Sequence, residues 1–99
     1  MHRFEEVKPH ILAARTEEDL VQTMRLFCGM FERSELSVLP AECAHCDVTS
    51  PEDIAELAVA MKTCQVRYAD PAMAGSLEVL SRAFTLASEQ LQRLRPFRP

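Results

Sequence analysis

The sequence predicts an all-α protein: a small helical bundle with three main helices, at about 17–33, 51–68 and 71–94, and a short or kinked N-terminal helix. Three observations support this. The 99 residues include only 2 glycines, 1 tyrosine and no tryptophan, whereas sheet proteins spend glycine on turns and aromatic or β-branched residues on strands. The chain is rich instead in Ala, Leu, Glu, Arg, Gln and Met, which favour helix. Its apolar residues also recur three and four apart, and cap residues precede them.

The clearest start is Ser50-Pro51-Glu52-Asp53. Ser50 suits the cap through its hydroxyl, Pro51 the first helical position and Asp53 the third. Ile54, Leu57, Ala58, Met61, Cys64, Gln65 and Tyr68 follow at helical spacing. Asp70-Pro71 repeats the cap-then-proline pattern, so the next helix begins almost at once and lies antiparallel to the one before.

In that last helix Met73, Leu77, Leu80, Phe84, Ala87, Leu91 and Leu94 form a seam of heptad type. Val79, Ala83 and Leu86 widen it to roughly half the circumference, at ~100° per residue. One core stripe needs only about 100°. Glu78–Arg82 and Glu89–Arg93 mark the opposite face as solvated.

Thr16-Glu17-Glu18-Asp19 starts the 17–33 helix, with acids at the positive end of its dipole. Leu20, Met24, Phe27 and Phe31 form its stripe, with Val21 and Cys28 beside it. Upstream, Phe4, Val7, Ile11 and Ala14 share a helical face that Pro9 interrupts. The chain reads as one domain, 1–99. Residues 34–50 form a long loop in which Pro40 to His45 could make one helical turn, and 95–99 form a short basic tail.

Composition narrows the function. Net charge is −4, divided as −6 over residues 1–70 and +2 over 71–99. This acidic balance argues against nucleic acid as a partner, because phosphate neutralisation needs a basic face. No run approaches the ~18 apolar residues of a membrane span, and the first residues carry no apolar stretch of the signal-peptide kind. A cytoplasmic location is the expectation, with the 4 cysteines as reduced thiols or ligands rather than disulfides. If they were oxidised, three pairings would be open.

The chemistry-bearing stretch is Cys43-Ala44-His45-Cys46. Cysteines so spaced aim two thiolates at one tetrahedral ion, and zinc would need two further ligands. Cys28 and Cys64 are the remaining sulfurs, with His45, His2 or His10 as substitutes. Antiparallel 17–33 and 51–68 helices would set Cys28 and Cys64 ~12 Å apart along the axis at 1.5 Å per residue; parallel helices would bring them level. The redox version of the motif belongs to a βαβ unit, which is not seen. The plain alternative is that all four cysteines are small buried hydrophobes.

No glycine-rich phosphate loop occurs, and no two helices each carry the Glu-x-x-His that a di-iron site needs. The acids at helix starts are accounted for by the dipole. The reading therefore leans away from an enzyme and calls for no cofactor, with zinc as the alternative.

It favours a helical protein that associates with a second copy or another protein through Leu77, Val79, Leu86, Leu91 and Leu94 of the last helix. A metal-binding or thiol-based sensor is the alternative. A third reading has Arg93, Arg95, Arg98 and Phe97 touching nucleic acid, against simple pairing of those arginines with the helix C-terminus.

Overall fold

The computed structural model describes residues 3–37, 39, 41–44, 47–67 and 71–95, without the side chains of 42, 44 and 71–74. The described chain is all-α, with no strand among the described residues. Its helices are α1 (Arg3–Ala13), α2 (Glu17–Cys28), α3 (Arg33–Ser37), α4 (Ala41–Ala44), α5 (Pro51–Arg67) and α6 (Pro71–Leu94). The radius of gyration is 13.1 Å, as for a folded chain of about 100 residues.

α6 is the centre of the bundle and packs against α5, α1, α2 and α3. Leu77, Leu80, Ala83, Phe84, Ala87 and Leu91 are buried along it, and Val79, Leu86 and Leu94 are half-buried against the same core. Its unusually wide apolar face is thus shared among several helices of one chain. Two polar residues of α6, Ser81 and Gln90, are buried as well. Gln90 Nε2 donates to the Ala14 carbonyl at 3.1 Å, which satisfies an acceptor just past the end of α1 and ties that end to α6.

α1 is a helix of 11 residues with Pro9 inside it. Val7 and Ile11 are buried, and Phe4 packs against the core. Burial of that face outweighs the local cost of the proline, which stands on the exposed side.

Thr16 caps α2 as its sequence predicts: Thr16 Oγ1 accepts from the Asp19 N–H at 3.0 Å. Leu20, Met24, Phe27 and Phe31 are all buried, but the helix stops at Cys28, short of the expected residue 33. After it the N–H groups of Met30 and Phe31 turn to the carbonyls of Phe27 and Cys28, three residues back. This tightens the chain out of the α-helical ladder. A new start follows, because Glu35 Oε1 accepts from the Glu32 N–H at 3.0 Å, as in half of a capping box.

Arg3 bonds the same carboxylate through both terminal nitrogens, at 3.2 and 2.6 Å, and lies 4.1 Å over the Phe31 ring. Phe31 meets Phe27 edge-to-face at 5.2 Å. One arginine therefore joins the start of α1 to the α2–α3 corner. The expected 34–50 loop is in fact interrupted by α3 and α4; the second is the helical turn foreseen near Pro40.

α5 begins at Pro51 as expected, with Ser50 at the cap position and Asp53 supplying the side chain that bonds back to it. Asp53 Oδ2 gathers the N–H groups of Thr49 and Ser50 at 2.8 and 3.0 Å and the Thr49 hydroxyl at 2.9 Å. The backbone carbonyl of Ser50 takes the Asp53 N–H. The side chain that secures this helix start is therefore Asp53 reaching back.

Bonding to Thr49, backbone first, holds the Asp53 carboxyl below its ordinary 3.8. Bonding to Arg3 holds Glu35 below 4.5. Both groups therefore stabilise the fold at neutral pH, and that contribution fades as pH falls from their ordinary values through the lower folded ones.

Two outcomes follow. Phe84→Ala, which empties a fully buried site, lowers stability by about 3–5 kcal/mol in denaturant unfolding. Asp53→Asn lowers the melting temperature by a few degrees at pH 7, and the deficit shrinks below about pH 4. A deficit that does not change with pH would show that the Asp53 charge is not what caps α5.

Candidate functional site

The sulfurs stand where short and long helices meet. α4 packs against α5, which brings Cys43 to Cys64 with Sγ to Sγ at 3.2 Å. Cys43 is completely buried and Cys64 is 4% exposed. A covalent S–S bond is about 2.05 Å, so these two sulfurs touch without being joined. Cys28, the last residue of α2, is disulfide-bonded. This corrects the expectation that the cysteines are uniformly reduced or ligands: a disulfide sulfur is no thiolate, and Cys28 ligates a metal only after reduction.

Cys46, His45 and His2 lie outside the described residues. Among the described residues no group of three or more His, Cys, Asp or Glu is placed to hold a metal ion.

The sequence pairs Cys43 with Cys46 by spacing, whereas the contact of Cys43 with Cys64 depends on how the 34–50 segment folds back. The available signal was that Cys64 belongs to the inward face of its helix, with Ile54, Ala58 and Met61. That says it is buried but does not name its neighbour.

The proposed α6 interface residues divide. Leu77 and Leu91 are inside the monomer's core, where a partner reaches them only by opening it. Val79, Leu86 and Leu94 keep part of their surface. Leu86 borders a depression of about 310 Å³ with Phe4, Ser81, Arg82, Thr85 and Glu89. Arg82 lies 4.3 Å over the Phe4 ring there, and the buried Thr85 hydroxyl has no hydrogen-bond partner among the described residues.

The more exposed apolar surface is elsewhere, between α1 and α2. A groove of about 280 Å³ is lined by Glu6, Val7, His10, Thr23, Leu26, Phe27 and Met30. Val7 and Phe27 are buried, while Leu26 is 73% and Met30 44% exposed. The sequence holds a signal for this, since Leu26 and Met30 are four apart and outside the Leu20–Met24–Phe27 stripe.

The arginines near the C-terminus are engaged. Arg93 Nη1 donates to the buried Gln90 amide oxygen at 3.2 Å. Arg95 donates to Glu17 at 2.9 Å and to Glu52 at 3.4 Å. One cation thus meets acids in the first turns of α2 and α5, and the Glu17 bond leads the effects that raise its pKa. Phe97 and Arg98 lie outside the described residues.

No helix is long and apolar enough to cross a membrane, among the described residues. Comparison with protein-family models, curated proteins and solved structures finds no match to the chain.

The Arg95 pairs are exposed, and such pairs contribute little. Arg95→Ala therefore leaves the melting temperature within a few degrees of wild type. A larger drop by differential scanning calorimetry would make this contact a structural clamp.

Proposed function

We propose that this is a non-enzymatic helical protein acting through protein–protein association, as a homodimer or as an adaptor. The observation that carries the reading is the α1–α2 groove, where a buried apolar floor meets exposed Leu26 and Met30. Exposed apolar side chains gathered at one concavity mark interaction surfaces more often than scattered ones do. A groove between two helices suits an apolar helix face, with anchors three and four residues apart. Val79, Leu86 and Leu94 remain available as a secondary contact. The wide face of α6 that first suggested association is largely used within the monomer, so the emphasis moves to α2.

Size-exclusion chromatography with light scattering tests the homodimer form. The expected result is a mass above the monomer at high micromolar concentration, lowered by Leu26→Glu at unchanged melting temperature, because Leu26 is outside the core. A strict monomer removes the homodimer form and leaves the adaptor.

A second reading, a metal-binding or thiol-based sensor, is favoured by one observation: the 3.2 Å approach of Cys43 and Cys64. Its metal form predicts stoichiometric zinc in protein purified without chelator and a lower melting temperature after chelation. Absence of both ends that form. The expected cytoplasmic location suits association and metal binding, whereas a disulfide at Cys28 suits an oxidising compartment.

A further inference from the structure

We propose that Cys43 and Cys64 are an oxidisable pair, closed into a disulfide by thiol–disulfide exchange with a low-molecular-weight disulfide of the glutathione class. The bond would fasten the 34–50 segment to the last turns of α5. The inference deepens the thiol form of the second reading and rests on the same contact. It does not need the association reading, and it excludes metal held by the same two sulfurs.

The geometry comes first. The two sulfurs are 21 residues apart in sequence and 3.2 Å apart in space. Closure to about 2 Å asks for a movement of about 1 Å, within the reach of small rotations of the two side chains. Both cysteines sit in the apolar core cluster, where each sulfur has the other within reach. α4, which carries Cys43, is 4 residues long, too short to be stable by itself. Its position therefore rests on contacts to its neighbours, and a covalent tie to α5 would hold it there. The chain already holds a disulfide at Cys28, the last residue of α2.

Burial orders the steps. Cys64 keeps a sliver of exposure and Cys43 none, so Cys64 meets the external disulfide first. Its thiol loses a proton, and the thiolate attacks one sulfur of the small disulfide. The external S–S bond breaks, and the departing thiolate takes up a proton. Cys43 then gives up its proton and attacks Cys64 Sγ in the mixed disulfide, expelling the second small thiolate, which is protonated in turn. Two protein thiols are oxidised by two electrons, and one external disulfide is reduced to two thiols. Brief opening of the short α4 region lets the external disulfide reach Cys64.

The test uses the whole wild-type chain, equilibrated in buffers of graded reduced-to-oxidised glutathione ratio. Each sample is quenched with acid, unfolded, alkylated with N-ethylmaleimide and mapped by peptide mass spectrometry. The expected result is a Cys43–Cys64 crosslinked peptide that replaces the two alkylated ones as the buffer becomes oxidising. The oxidised form should melt roughly 10 °C above a form with this pair reduced.

Cys64→Ala should abolish the crosslink, leave Cys43 alkylatable after unfolding, and keep the helical circular-dichroism spectrum. Three results would overturn the proposal. One is alkylation of both residues at every ratio. Another is a crosslink from Cys43 to a different cysteine. The third is stoichiometric zinc in wild type that is lost in Cys64→Ala, which would make the pair a metal site. A monomeric wild-type protein would not affect any of these readouts, so failure of the association reading stays separate.

Discussion

α6 must be covered on roughly half its circumference, and the rest of the molecule is arranged to cover it. A helix with buried Leu77, Leu80, Phe84, Ala87 and Leu91, flanked by half-buried Val79, Leu86 and Leu94, exposes far more apolar surface than one neighbour can remove from water. α5 lies along it, and α1 and α2 take further arcs. The other devices are small beside this burial: the Asp53 cap, the Arg3–Glu35 pair and the bond from Gln90 to Ala14 hold positions that packing has already selected. Their effects are local, because each joins groups at the end of a helix.

Much of this was legible in the residues. α5 and α6 start at the prolines that mark them, and the inward positions of α2, α5 and α6 follow the three-and-four spacing. The misreadings share a physical cause, which is local geometry that spacing does not encode. The 17–33 stripe includes Phe31, which is indeed buried. It gets there after a tight turn, because bonding three residues back and the Glu35 carboxylate redirect the chain. Periodicity reports that a side chain goes inward; it does not report whether the backbone beneath it is continuous helix. Ser50 was the natural cap by residue type, yet Asp53 supplies the bonding carboxylate. Both residues take part in the same start, Ser50 at the cap position and Asp53 accepting its N–H.

The candidate sites were less legible, for a different reason. Width of an apolar face measures how much must be covered, not what covers it. Leu77 and Leu91 belong to the same stripe whether a second molecule or α5 and α1 lie against them. Leu26 and Met30, outside every predicted stripe, are among the residues left uncovered, with Leu12, Val59 and Val66. For the sulfurs, sequence proximity directs attention to Cys43 with Cys46. The pairing of Cys43 with Cys64 is a matter of long-range topology, set by where α4 lands on α5.

Order along the chain gives the central position of α6 a further meaning. During synthesis from the N-terminus, α1 and α5 are made before the helix against which they chiefly pack. Until residues near Leu91 have left the ribosome, the helices that carry Ile11 and Met61 lack their principal partner. The nascent chain therefore stays loosely collapsed, with its apolar stripes open to chaperones, until its last helix arrives. Completion of the core is then a single late event, in which earlier helices close around α6.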